Sequence, residues 1–358
     1  VAKRYRIEMV IILSKQSPYA INYLGKTYNT TIHKDLTDEQ YKQVVEEYYT
    51  KPDFDLVKKQ FVTIANGGTK VNHITNYYVK DLMAKVKVHY NNWTIEEALN
   101  HKPLIEFFAG KAAKNKKVFP EHNSLCKNIE TAFRLCGFKT ASKPSNFPMK
   151  AIDSLLDLYN VNGKYYDFSC GWGVRMLSSM KHGIEYYGTD PNYILCERLR
   201  NMASDYNEAT NSDVKTHIYT QGSEVFIPEL EGSIGFAFSS PPYFNLEDYK
   251  IGEQSWKEGV TYDSWKHDYL EPTIKNIYKY LTDDGYFAIN INNFNKYNDY
   301  DLVGDTYNLA INNGFVLVDV MPLENITRCS GHKEWEKGDI CWHDNNEKIM
   351  VFGKNNKE

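Results

Sequence analysis

The sequence has no apolar run long enough to cross a bilayer. The longest, Met9 to Leu13, is far short of the roughly 20 residues that a spanning helix needs. Lys3, Arg4 and Arg6 precede it, but Glu8 interrupts the pattern and no small-residue cleavage site follows, so it does not read as a secretory leader. Paired cysteines are also missing. The six present, at 126, 136, 170, 196, 329 and 341, have no framework spacing and read as reduced thiols rather than disulfides. The expectation is a cytoplasmic protein. Internal repeats and long low-complexity tracts are absent too, which excludes solenoid and array architectures.

What remains is an ordinary globular composition: 358 residues, 42% hydrophobic and 25% charged, enough for one or two domains. The net charge of −4 conceals an asymmetry. Residues 1–150 carry 24 Lys+Arg against 14 Asp+Glu, a balance of +10, so the remainder stands at −14. A basic segment joined to an acidic one fits a chain whose first half meets a polyanion, nucleic acid being the commonest, or one that simply has a solvated basic face.

From about Tyr165 the pattern alternates strand-like and helix-like stretches, as in a doubly wound α/β sheet. Seven strands are predicted, at 165–169, 186–190, 217–221, 235–239, 286–293, 315–323 and 347–354. Only an irregular stretch separates the last two, so they should pair antiparallel at one edge of a mostly parallel sheet. The first half reads as mostly helical. Capping-box spacing at Thr37/Gln40 and Thr94/Glu97 predicts helices over 37–49 and 94–108, the second kinked or split by Pro103, and a third over 124–136 stops at Gly137. The boundary is placed near Ser142–Asn146, giving a basic helical domain over 1–144 and an α/β domain over 145–358.

"YYDFSCGWGVRML" sets Asp167 in the first strand and Gly171 and Gly173 in the turn to the next helix, where the backbone can approach a ligand closely. Asp190 ends the second strand, placed to accept the hydroxyls of a ribose. Together these point to a nucleoside-containing cofactor. NAD would prefer a third glycine where Met176 stands; S-adenosylmethionine (SAM), with no pyrophosphate, does not need it.

The fourth strand runs into Ser240-Pro241-Pro242-Tyr243 at the carboxyl edge of the sheet, where open α/β sheets bind ligands. Two prolines fix the backbone and remove two N–H donors. Ser240 Oγ and the Pro241 carbonyl then offer acceptors beside the flat face of Tyr243, an arrangement that suits a planar ring with an exocyclic amine.

The segment Asp167 to Gly173 followed by Ser240-Pro241-Pro242-Tyr243 resembles the DNA amino-methyltransferases, which transfer methyl from SAM to N4 of cytosine or N6 of adenine. The resemblance covers roughly residues 145–354 and implies a Rossmann-like SAM-methyltransferase fold. It implies Phe147, Pro148 and Lys150 on the methionine part of the cofactor, with Asp167, Ser169, Gly171, Gly173 and Asp190 lining the turn and ribose. Glu224, or Ser223 in its place, is implied at the adenine ring, and "EKIMVFGK" is similar to the family's closing strand. In that family the first residue of the S-P-P-Y element is usually Ser for cytosine-N4 enzymes, so Ser240 points to cytosine first and adenine second. Phe168 follows Asp167 directly, a departure from the usual motif, and no recognition domain fits after Lys354.

The implied partner is DNA, with a cognate restriction endonuclease left open. Phosphate contacts are expected from Lys111, Lys114, Lys116 and Lys117, and from Arg328 and Lys333. Tyr249, Trp256, Tyr262 and Trp265, in the long link after the fourth strand, either close over a flipped base or form a satellite core. Cys329, His332, Cys341 and His343 do not have an established zinc spacing, and no metal is expected. Competing readings are methylation of RNA or of a protein glutamine amide, and a non-enzymatic binding module.

Overall fold

The computed structural model describes residues 19–23, 26–30, 33–88, 93–114, 123–136, 144–293, 300–323 and 347–354. The chain divides into two compact units, Val1–Thr50 with Asn91–Lys143, and Lys51–Tyr90 with Pro144–Glu358.

The first unit opens with a hairpin that the sequence pattern did not announce, β1 (Tyr19–Tyr23) and β2 (Lys26–Thr30), paired antiparallel. Helix α1 (Asp38–Tyr49) starts from Thr37, whose hydroxyl accepts from Gln40 N while the Gln40 side chain accepts from Thr37 N. In the second unit, α2 (Phe54–Ala65), α3 (Asn72–Tyr78) and α4 (Lys80–Ala84) follow. The chain then returns to the first unit with α5 (Ile95–Leu99), α6 (Lys102–Lys114) and α7 (Leu125–Cys136). Thr94 and Glu97 form the second capping box. Pro103 does split the predicted helix, because it can stand in a helix's first turn but not its interior. Phe108 and Phe133 meet edge to face at 4.7 Å in this unit's core.

The second unit is built on a seven-stranded sheet. In chain order its elements are α8 (Met149–Leu158), β3 (Lys164–Asp167), α9 (Val174–Lys181), β4 (Glu185–Thr189), α10 (Tyr193–Thr210), β5 (Thr216–Tyr219) and β6 (Ile234–Ser239). They continue with α11 (Tyr262–Trp265), α12 (Glu271–Tyr280), β7 (Leu281–Ile291), α13 (Leu302–Asn312), β8 (Phe315–Pro322) and β9 (Lys348–Lys354). A single π turn, Lys266–Leu270, joins α11 to α12 just ahead of Pro272, which has no N–H to give a carbonyl one turn back. The strand order is β5-β4-β3-β6-β7-β9-β8. Neighbours among β3 to β7 pair parallel, whereas β9 runs antiparallel to both β7 and β8.

Alternation along the strands feeds two cores. Tyr165, Phe236, Phe238, Ala288 and Val351 face α8, α9 and α10. Tyr166, Ala237, Phe287, Ile289 and Phe352 face α12 and α13. Residues 51–90 belong to the first of these cores, although the sequence reading grouped them with the amino-terminal helices. Val57, Phe61 and Ile64 of α2 are buried in it together with Leu199 and Tyr206 of α10, and the Phe61 and Tyr206 rings meet edge to face at 5.6 Å. Arg198 clamps the same segment, donating to the Tyr78 carbonyl at 2.9 Å and forking onto the Asp81 carboxylate. Among the described residues no helix is long and apolar enough to cross a membrane.

Candidate functional site

Strands β3 to β7 all deliver their carboxyl ends to one edge, and the exits of β3, β4, β5 and β6 carry residues that the sequence reading singled out. At the exit of β3, Gly171 (φ +55°) and Gly173 (φ +83°) adopt left-handed backbone. A Cβ on Gly173 would stand 2.7 Å from Leu199 Cδ2 and 3.0 Å from Met202 Sδ, so any side chain there would have to displace one of them or the turn. Asp167 is completely buried, and its carboxylate is taken up within the protein: Arg175 Nε donates to Oδ2 at 2.9 Å and the Tyr186 hydroxyl at 3.0 Å. Arg175 also donates to the Ser169 carbonyl and lies over the Phe147 ring, 5.7 Å from its centre. Burial opposes the charge on Arg175, but Asp167, with Tyr165 and Tyr186 acting in the same direction, more than offsets it and holds the guanidinium charged. The role that this geometry gives Asp167 is to lock the glycine turn.

Asp190, half-buried after β4, accepts from Asn192 N at 3.0 Å. Burial pushes its carboxyl up to about 7, with Asp167 adding to the rise. Beyond β5, the buried Ser223 bonds Thr273 at 2.9 Å, and Asn276 holds the carbonyls of Ser223 and Glu224 at 3.0 Å each. Glu224 folds back over Gly222, and burial raises its pKa. Its Oε2 is a buried acceptor without a partner among the described residues, as are Asn146 Oδ1 and Asn290 Oδ1. Burial also pushes the Tyr269 phenol up, and the carboxylates of Glu224, Asp190 and Asp167 push the same way.

The exit of β6 adjoins that of β3. Ser239 Oγ donates to the Ser169 carbonyl at 3.2 Å, bringing Ser240-Pro241-Pro242-Tyr243 against the glycine turn. Tyr243 is only 8% exposed, and its hydroxyl donates to the Asn290 carbonyl at 3.2 Å. The open stacking face expected of Tyr243 is therefore largely covered. Phe244 next turns the chain with a left-handed φ of +55°, unusual for a residue with a side chain. Four rings surround it, Trp256, Tyr262, Trp265 and Tyr300, at 5.4 to 6.3 Å. Three of the four link aromatics thus pack into or onto the second core of the sheet rather than forming a separate satellite cluster. Tyr249 instead faces Trp172 of the glycine turn at 6.2 Å, its hydroxyl on Glu247 at 2.5 Å. The link is pinned across the strand exits by Asn192 Nδ2 to the Ile251 carbonyl at 3.3 Å, and by a bridge between Lys87 and Asp248.

No family model and no curated protein matches the sequence. Several solved structures are similar. A TehB-like SAM-dependent methyltransferase from Corynebacterium glutamicum is 17% identical, with a TM-score of 0.38 over 57% of this chain and 87% of that one. Magnesium protoporphyrin IX methyltransferase from Synechocystis with bound SAM is 11% identical, with a TM-score of 0.37 over 57% and 79%. Geranyl diphosphate C-methyltransferase from Streptomyces coelicolor is 11% identical, with a TM-score of 0.39 over 66% and 85%. With scores below 0.5 these likenesses decide nothing by themselves; the sheet decides. Five parallel strands run in the order β5-β4-β3-β6-β7, continued by an antiparallel β9 slotted between β7 and β8. The fold is a Rossmann-like, doubly wound α/β sheet of seven strands, with β9 antiparallel to its neighbours.

In this fold Phe147 packs edge to face on Phe238 at 5.5 Å, while Pro148 and Lys150 are exposed at the start of α8. Phe168 packs in the core on Phe287, and Cys170 is buried with its thiol pushed up by burial, which leaves it inert. Lys111 lies beside the Phe107 ring and Lys114 is exposed, both on α6 of the first unit. Lys116, Lys117, Arg328 and Lys333 lie outside the described residues, as do Cys329, His332, Cys341 and His343. Sequence reasoning missed Arg175 and Asn290. Each left a trace: an arginine among apolar residues just after the glycine turn, and asparagines where β7 would otherwise stay apolar.

Proposed function

We propose that this chain is a SAM-dependent methyltransferase acting on an exocyclic amine in DNA, cytosine N4 first and adenine N6 second. The observation that carries the reading is the junction of two motifs 70 residues apart, the Ser239–Ser169 hydrogen bond that sets the S-P-P-Y corner beside the glycine turn. The residues fit the cofactor's chemistry. SAM presents donors and positive charge, and this edge of the sheet presents acceptors at Glu224 and Asn290 that are buried and without partners among the described residues, together with the Asp190 carboxylate. When bound, SAM supplies an activated methyl on a sulfonium.

The rest falls to this chain's residues. Ser240 Oγ and the Pro241 carbonyl accept the N–H groups of the target amine, drawing its lone pair out of the ring and toward the methyl. Prolines 241 and 242 keep the carbonyl direction fixed. The work is positioning and polarisation, with no covalent enzyme intermediate. DNA is favoured over RNA or a protein glutamine amide by the S-P-P-Y element and by the +10 charge of residues 1–150, which suits a polyanion. The test is methyl incorporation from labelled SAM into duplex DNA, RNA and protein, followed by digestion and mass spectrometry of the modified nucleoside. N4-methylcytosine is expected. Label confined to RNA or protein would overturn the substrate reading, and no SAM binding at millimolar concentration would overturn the enzymatic one.

A further inference from the structure

Asn290 stands one residue before the end of β7, 1% exposed, in a strand whose register sets Ile289 beside Ser239 and therefore Asn290 beside Ser240. The two hydrogens of its amide nitrogen are shared among three acceptors within reach: the Tyr243 hydroxyl at 2.8 Å, Ser240 Oγ at 3.2 Å and Glu347 Oε2 at 3.3 Å. Its backbone carbonyl accepts the Tyr243 proton. One residue thus grips the Tyr243 hydroxyl from both sides and shares the same donor with Ser240. The Glu347 carboxylate, just ahead of β9, fixes which way round the amide stands, because a reversed amide would set Oδ1 against a negative oxygen. A serine oxygen that takes one N–H from Asn290 keeps one lone pair and its own proton, so its remaining acceptor direction is set.

We propose that Asn290 is the positioning residue of the amine-binding corner, holding the hydroxyls of Ser240 and Tyr243 in place through an amide that Glu347 orients. The inference rests on the methyltransferase reading for its kinetic readout. It assigns a role to a side chain 50 residues from the motif it serves. The charged and titratable groups around the cluster are Tyr243 itself, Glu347, Glu247 on the link after β6, and Arg175 on α9.

The test compares wild type with Asn290→Asp in the full chain, measuring methyl transfer to duplex DNA across pH and SAM affinity by calorimetry. The new carboxylate would turn an acceptor toward two hydroxyl oxygens, beside a second carboxylate. Turnover is expected to fall about 100-fold near neutral pH, the scale of losing one positioned donor. Protonation restores an O–H donor, so the ratio of variant to wild-type turnover should climb as pH falls, with SAM affinity changed less than about twofold. A ratio flat with pH, or turnover equal to wild type, would overturn the inference while leaving the methyltransferase reading intact. A wild type without methyl transfer refutes that reading instead. The positioning claim is then decided by crystal structures of wild type and Asn290→Ser: displaced Ser240 and Tyr243 hydroxyls support it, and unmoved ones overturn it. Asn290→Ser also stands in for Asn290→Asp if that variant does not fold, with a turnover loss smaller than that of Asn290→Ala expected because a hydroxyl can still donate.

Discussion

Asp190 shows how one carboxylate can tie binding to pH. Its folded pKa of about 7 lies above the ordinary value near 4, so between those limits the folded chain keeps a proton that the unfolded chain has lost. Its contribution to stability therefore declines as pH rises through that window. On the proposed function the SAM ribose meets the opposite form of Asp190, the ionised acceptor, so SAM affinity should strengthen as pH rises through about 7. Calorimetric titration at several pH values checks both directions, and Asp190→Asn should flatten both. Ser240→Ala should lower turnover by about 10²-fold or more with SAM affinity nearly unchanged; unchanged turnover would remove Ser240 from the mechanism. Asp167 behaves differently. Its carboxylate pairs with the buried Arg175, and removing one partner of such a pair costs about 3–5 kcal/mol. Arg175→Ala is accordingly expected to lower the denaturation midpoint sharply, a loss of fold before any loss of chemistry.

Local chemistry was enough to place most elements. Both capping boxes formed at the predicted residues, and the seven strands fall within a few residues of their predicted positions, because turn residues and the alternation of apolar side chains act over short distances. The strand β7 begins earlier than expected, at Leu281, since Asp283-Asp284-Gly285 is carried inside it rather than ending the helix before it. Helices α2 to α4 carried no cap signal as plain as those of α1 and α5. Within the glycine turn, Gly173→Ala should cost about 1–3 kcal/mol in chemical denaturation, combining a left-handed φ with the 2.7 Å approach to Leu199. A stability equal to wild type would mean that the turn relaxes away from α10.

At the scale of the molecule, the sheet-bearing unit needs residues 51–90. A fragment beginning at Pro144 would uncover the face of α10 that Phe61 and Ile64 bury, and it should unfold at a lower temperature than the full chain, or without a cooperative transition. An equal midpoint would show that α2 to α4 add nothing to this core. Binding of the full chain to duplex DNA should weaken at least tenfold between about 50 and 200 mM salt if the basic first half meets phosphates. The sequence by itself determined the strand succession, the glycine turn and the proline corner, since each is written in neighbouring residues. Tertiary structure alone decided that Arg175 takes up Asp167, that Asn290 stands beside Ser240, that the Tyr243 ring is covered, and that residues 51–90 join the sheet. Those contacts join residues far apart in the chain. They are fixed by strand register and by which helix covers which face, and no local pattern encodes either.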